Sequence, residues 1–248
     1  MGIVNSTYKS FQNTNVFSFL DSIVQQGDAS FYSAGYIGKG EKVWLLLKLI
    51  DNISLSVNDT IQEFILFSNA HDGRGSIRAY FFPIHLETQN VLNISFGKRV
   101  EQGIQMRHVG KVKERIEEVR KIFGLANIFY KRFEETSKML YVYRLNKSDV
   151  DLFLSSCFDT YSLESTRTKN TLEKIKTIYK KESKRNHFSE NSAWLWFNSV
   201  VYFIDHERES KGKTIFERKS NHIESLLWGS ALLLKIKAWN TILSLAKI

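Results

Sequence analysis

Between Val112 and Phe133 the apolar residues Val112, Ile116, Val119, Phe123, Ala126, Tyr130 and Phe133 recur at alternating spacings of four and three. Such spacing brings every member back to one side of an α-helical turn, so it predicts a helix over 111–140, with Ile122 and Phe129 widening the apolar stripe. A stripe this long must be buried somewhere. It can serve an intermolecular coiled coil, and with it a homo-oligomer, or it can pack against the chain's own sheet and later helices. The second is the simpler reading.

What precedes this helix reads as strands. Ile61 to Ala70 and Ser76 to Leu86 are apolar and β-branched runs on either side of His71-Asp72-Gly73-Arg74-Gly75, where two glycines permit the positive φ angles of a turning backbone. Ala29–Gly38 and Lys42–Ile50 flank Gly38-Lys39-Gly40-Glu41 in the same way, and Gln102–His108 suggests a fifth short strand. Trp44, Leu45, Leu46, Leu47 and Leu49 are too continuously apolar for a strand open to water, which predicts a central strand covered on both faces. Pro83, the only proline, demotes the end of its strand to an edge or bulge. Short helices are expected over 13–27, capped by Asn13 or Thr14 and stopped by Gly27, and over 88–96.

Beyond residue 140 the pattern stays helical. Ser148 is a candidate cap for a helix through Leu152, Phe153 and Phe158; Ser165 to Arg185 forms another, and Glu190–Glu209 and Glu217–Ala246 make a final packed pair. The expected class is therefore α+β: an N-terminal antiparallel sheet of four to five strands with a covering helix, then a helical C-terminal half. Residues 1–110 would form the first part and 111–248 a basic helical part packed on it as one folded unit.

Charge follows the same division. The net charge is +9. Residues 1–110 carry nine basic and nine acidic side chains, and residues 111–248 carry 26 against 17, so the whole excess belongs to the second half. It is densest at 167–185, where Arg167, Lys169, Lys174, Lys176, Lys180, Lys181, Lys184 and Arg185 face only Glu173 and Glu182. A basic helix of this kind either meets a polyanion through counterion release or is an ordinary solvated face. One cysteine, Cys157, rules out an internal disulfide and points to a cytoplasmic or equivalent reducing compartment. No window approaches 18 uncharged apolar residues and no secretory signal is recognised, so membrane insertion is not expected.

Chemistry is harder to find. His71-Asp72 could ligate a metal or shuttle a proton, but His-Asp-Gly is equally a hairpin loop in which Asp bonds its own turn. His85, His108, His206 and His222 are isolated in sequence, and Asp205-His206-Glu207 diverge around one helical turn. Cys157 lies in an apolar stretch and reads as buried. No nucleophile elbow, phosphate loop or dinucleotide fingerprint occurs, so no cofactor, metal or catalytic residue is assigned. A second basic set, Arg74, Arg78 and Arg107 with His108, could gather on one side of the sheet and contact phosphate, with Tyr80 and Phe82 offering ring faces to bases.

The order Asn69-x-His71-Asp72-Gly73, then Phe82-Pro83 leading to Asn90, then Arg107-His108-x-Gly110, then Asn198-x-Val200 and Tyr202-x-x-Asp205-His206-Glu207-Arg208, and finally Glu224-Ser225-x-x-x-Gly229, resembles the phage- and plasmid-borne family known as domain of unknown function 932. The likeness runs over nearly the whole chain. It departs in detail, with Val109 where threonine is usual and Lys111 where asparagine is. What it implies is carriage by a mobile element; the layout is also similar to that of phage single-strand annealing recombinases, at fold level only.

Three functions are thus expected in order. The first is a non-enzymatic nucleic-acid-binding protein, with single-stranded DNA as partner in replication, recombination or annealing. Its contacts would be Arg74, Arg78, Arg107, Lys169, Lys174, Lys176, Lys180, Lys181, Lys184 and Arg185, with His71, Asp72 and His108 in a functional loop. The second is a protein interaction factor countering a host defence system. The third is a metal-dependent hydrolase centred on His71 and Asp72.

Overall fold

The order of strands across the sheet is β1 (Ala29–Ile37), β2 (Lys42–Ser56), β3 (Asp59–Ala70), β4 (Ile77–Phe81) and β7 (Ile104–Met106), with β5 (Ile84–His85) pairing β3 and β6 (Asn90–Val91) pairing β5. These elements and the helices come from a computed structural model that describes residues 20–38, 40–57, 59–70, 77–92, 104–106, 112–158, 165–186 and 191–248. The chain divides into two compact units, each discontinuous in sequence. One comprises Met1–Asn52, Gln62–Pro83 and Ser95–Lys131; the other comprises Ile53–Ile61, Ile84–Ile94 and Arg132–Ile248.

In the first unit, a short helix α1 (Asp21–Gln25) leads into the β1–β2 hairpin, which pairs from Ala29 opposite Leu49 to Ile37 opposite Lys42 with a register shift between Phe31 and Ser33. Gly38 (φ 68°) and Gly40 (φ 97°) make its turn in backbone conformations that other residues rarely adopt. β3 and β4 pair antiparallel from Ile65 opposite Phe81 to Asn69 opposite Ile77. β2 lies between β1 and β3 as its apolar run predicts, but Trp44 and Leu45 are only half-buried; the strand buried along its length is β3, from Ile61 to Asn69. The reason is position: β3 is the middle strand of five, whereas β2 is one from the edge.

The heptad stripe forms α2 (Val112–Val142). Within the first unit its Val119, Ile122, Ala126, Phe129 and Tyr130 are buried, and Phe129 lies 5.1 Å from the ring of Phe81. From Val119 on, the described part of the seam is therefore packed largely inside the chain. The Tyr130 hydroxyl donates to the carbonyl of Phe64 and accepts from the amides of Phe64 (3.1 Å) and Phe82 (3.0 Å), joining the helix to the sheet just where Pro83 ends β4.

The second unit is mainly helical: the rest of α2, then α3 (Lys147–Cys157), α4 (Thr166–Asn186), α5 (Ala193–Tyr202), a π-helical turn (Phe203–Glu207), α6 (Ile215–Trp228) and α7 (Ser230–Ala246). Nine of the ten residues of α5 are buried, as befits a helix apolar on all sides. Around it Phe133 stacks on Trp239 at 5.8 Å, Phe197 meets Trp239 at 5.1 Å, and Tyr179 of α4 stacks on Trp196 at 4.0 Å.

Four local expectations are corrected. α3 is capped by Asn146, whose side chain accepts from the Asp149 amide in a reciprocal capping box, so Ser148 lies inside the helix. The expected single helix over 217–246 is two, broken at Gly229, which is extended at φ −116° and ψ −152°. The helix expected over 190–209 begins at Ala193 and ends in the π turn. No helix forms over Thr88–Leu92: Gln89 turns at φ 57° and Asn90–Val91 return as β6. Residues 93–96 of that prediction, and residues 13–19 of the first predicted helix, lie outside the described residues.

Candidate functional site

Two places in the second unit concentrate polar and charged groups. The first is buried and grows from the Pro83 break. Once β4 has ended, pairing resumes with the Leu86 amide donating to the Thr60 carbonyl (2.9 Å), which brings His85 beside Asp59 at the start of β3. The chain then turns through Leu86–Gln89 and comes back with His85 opposite Asn90 and Ile84 opposite Val91. This small hairpin carries its polar residues inward.

His85 Nε2 donates to Asp59 Oδ1 at 2.7 Å, and the other Asp59 oxygen accepts from Trp194 Nε1 on α5 at 2.9 Å. The tautomer follows from the far side of the ring. Nδ1 receives the Thr88 amide (3.3 Å) and faces the Thr88 hydroxyl at 2.8 Å, and a backbone N–H can only donate, so the proton belongs on Nε2. Glu87 accepts from the Thr60 amide at 3.2 and 3.3 Å and has an oxygen 3.6 Å from His85 Nε2. Asp59 is 0% exposed, His85 2% and Glu87 23%. One ligand atom from each of the three lies within 4.8 Å of the others.

Asn90 and Val91 continue the seam. Asn90 Nδ2 donates to the Asn198 carbonyl (3.1 Å), and Asn198 Nδ2 donates to the Trp194 carbonyl (3.1 Å). Asp205, turned inward by the π turn, accepts from the Val91 amide at 2.8 Å and from Lys235 Nζ at 3.0 Å, while Lys235 also donates to the Val91 carbonyl. Burial holds the Lys235 ammonium below the usual lysine range, with Asp205 pulling it partly back. The wider π turn also frees the Asp205 carbonyl to accept from His222 Nε2 (2.8 Å), whose Nδ1 then faces the Ser210 hydroxyl (3.0 Å). His206 points outward and packs on Tyr202 at 4.6 Å. Asp205, His206 and Glu207 thus diverge as their spacing predicts.

The second place is the outward half of α4. Ile175 and Ile178 are buried and Tyr179 stacks inward, which leaves Lys169, Lys174, Lys180, Lys181 and Lys184 exposed and Lys176 half-buried. Lys176 pairs with Glu173 at 3.2 Å and Lys174 with Glu207 at 3.9 Å. Among the described residues, no carboxylate pairs with Lys169, Lys180, Lys181 or Lys184. Arg185 is the penultimate residue of the helix, its side chain not among those described.

The sheet set is only partly visible. Arg78 lies on β4 opposite Ser68 and Gln105, half-buried on the same face as Tyr80. Phe82 falls beyond the strand and is buried. Arg74, Arg107, His71, Asp72 and His108 lie outside the described residues.

Reading by sequence proximity missed the Asp59–His85–Glu87 group, because 26 residues separate Asp59 from its histidine and only the Pro83 break brings them together. Three positions of the family pattern, Asn90, Asn198 and Asp205, were visible as motif residues and meet in this same buried seam. No curated protein and no solved structure matches the chain. Those three positions and the turn after Pro83 fall within residues 1–227, the stretch matched by the family model described as Domain of unknown function (DUF932), and the chain belongs to that family.

Proposed function

We propose that this protein binds nucleic acid, single-stranded DNA in the first instance, along the outward half of α4. The observation that carries the reading is the sidedness of that helix. With Ile175, Ile178 and Tyr179 turned inward, four lysines without a carboxylate partner among the described residues share the solvent side. Lys180, Lys181 and Lys184 fall within about one helical turn, roughly 6 Å of axis, a spacing that suits neighbouring phosphates of an extended strand. Their attraction is non-specific and arises from counterion release. The Lys174–Glu207 and Lys176–Glu173 pairs are exposed, and such pairs contribute little and exchange readily for phosphate.

The test is fluorescence anisotropy with a labelled single-stranded oligonucleotide at about 50 mM salt, where non-specific binders of this type are strongest. The expected result is saturable binding at micromolar protein. Replacing Lys169, Lys180, Lys181 and Lys184 together with Glu should abolish it while the circular dichroism spectrum is unchanged. Absence of binding by the unaltered chain would sink the reading. A nuclease-treated pull-down that still recovers a stoichiometric acidic protein would favour the interaction-factor alternative.

A further inference from the structure

We propose that Asp59, His85 and Glu87 bind one divalent transition-metal ion of the zinc or manganese class. The donor set is one imidazole nitrogen and two carboxylates, which suits those ions. His85 Nε2 and the nearer Glu87 oxygen are 3.6 Å apart, close to the separation of about 3.4 Å that two ligands take around a tetrahedral ion with bonds of about 2.1 Å. The Asp59–His85 separation of 2.7 Å needs to open by about 0.7 Å to reach the same separation, as a hydrogen-bonded pair does when a cation replaces the shared proton.

The burial of Asp59 is the independent argument. The carboxyl groups of Asp59, fully buried, and Glu87, partly exposed, meet at the base of the hairpin beside His85. Among the described residues no lysine or arginine pairs with either carboxylate. Buried carboxylates are ordinarily paired with a cation or coordinated to a metal. A dication held among the three would supply that partner.

The surrounding groups are those that orient metal ligands. Trp194 Nε1 fixes the outer oxygen of Asp59, the Thr60 amide fixes Glu87, and Thr88 holds the far side of the imidazole. When the ion takes Nε2 the ring proton moves to Nδ1, which then donates to the Thr88 hydroxyl, and the long contact from the Thr88 amide (3.3 Å) is given up. Glu87 is partly exposed, which gives the ion a route in and leaves a fourth position for water.

The proposal does not rest on α4, so the lysine variant above should retain the metal. The experiment uses the full chain, stripped with a chelator, dialysed, and titrated with Zn2+ or Mn2+ against a chromogenic competitor, with thermal unfolding followed in parallel. We expect about one ion per chain and a higher unfolding temperature. Glu87→Gln keeps an acceptor for the Thr60 amide, so it should fold, yet it should lose at least about tenfold in affinity, the effect expected of disturbing a ligand shell. His206→Ala, which removes an exposed histidine, should bind as the unaltered chain does. Failure of both ions to bind stoichiometrically, or binding that survives Glu87→Gln unchanged, would overturn the assignment.

Discussion

Tyr130 supports three backbone groups with one hydroxyl, at the point where Pro83 has taken a strand partner away. Tyr130→Phe keeps the ring packing against Phe81 and Phe129 but strands the Phe64 amide in the core, and an unsatisfied buried group costs about 1–3 kcal/mol. Urea denaturation should register that loss without a change in the far-ultraviolet spectrum. Cys157 makes a second residue-level test. Burial pushes its thiol up to about 12, with Lys237 pulling the other way, against about 8.5 for an unfolded cysteine. The folded chain keeps this proton where the unfolded chain has lost it. The contribution is therefore complete below about pH 8.5 and declines as pH rises toward about 12. Urea midpoints at pH 7.5 and 9.5 should draw apart in the unaltered chain and less so in Cys157→Ala, and the thiol should resist alkylation at pH 8 until the chain unfolds.

At the level of elements, periodicity made α2 legible because about six turns of helix, from Val112 to Phe133, repeat the same apolar side, and the glycines at 38 and 40 made the first hairpin legible because their φ angles leave few substitutes. The breaks were harder to read. Gly229 interrupts an unbroken helical pattern for a steric reason: a Cβ there would lie 2.9 Å from the Ser225 Cα, a backbone atom that cannot rotate away. Gly229→Ala should accordingly cost about 1–3 kcal/mol, the range for overpacking a tight site, seen as a lower melting temperature. The candidate metal group was illegible for a related reason. Its members belong to different elements, and only tertiary pairing after Pro83 places them together, whereas α4 announced its basic side through composition within one helix.

For the whole molecule, the charge excess lies in residues 111–248, and binding that depends on it should weaken steeply with ionic strength. The logarithm of affinity should fall linearly with the logarithm of salt concentration, at about 0.7 per phosphate neutralised on a single strand. If Lys169, Lys180, Lys181 and Lys184 each meet one phosphate, replacing any one of them with alanine should reduce the slope by roughly that amount; an unchanged slope would remove that lysine from the interface.

The two units also share the chain in an unusual way. Residues 53–61 and 84–94 belong with a helical body whose remainder begins only at Arg132. During translation these two segments leave the ribosome well ahead of α5 and α7, so Asp59 waits for Trp194 and Val91 waits for Lys235. A fragment cut anywhere near the midpoint would deprive the helical body of the strands that finish it. Dissection into halves should therefore yield insoluble pieces, and co-expression of both halves is the arrangement with a prospect of rescue.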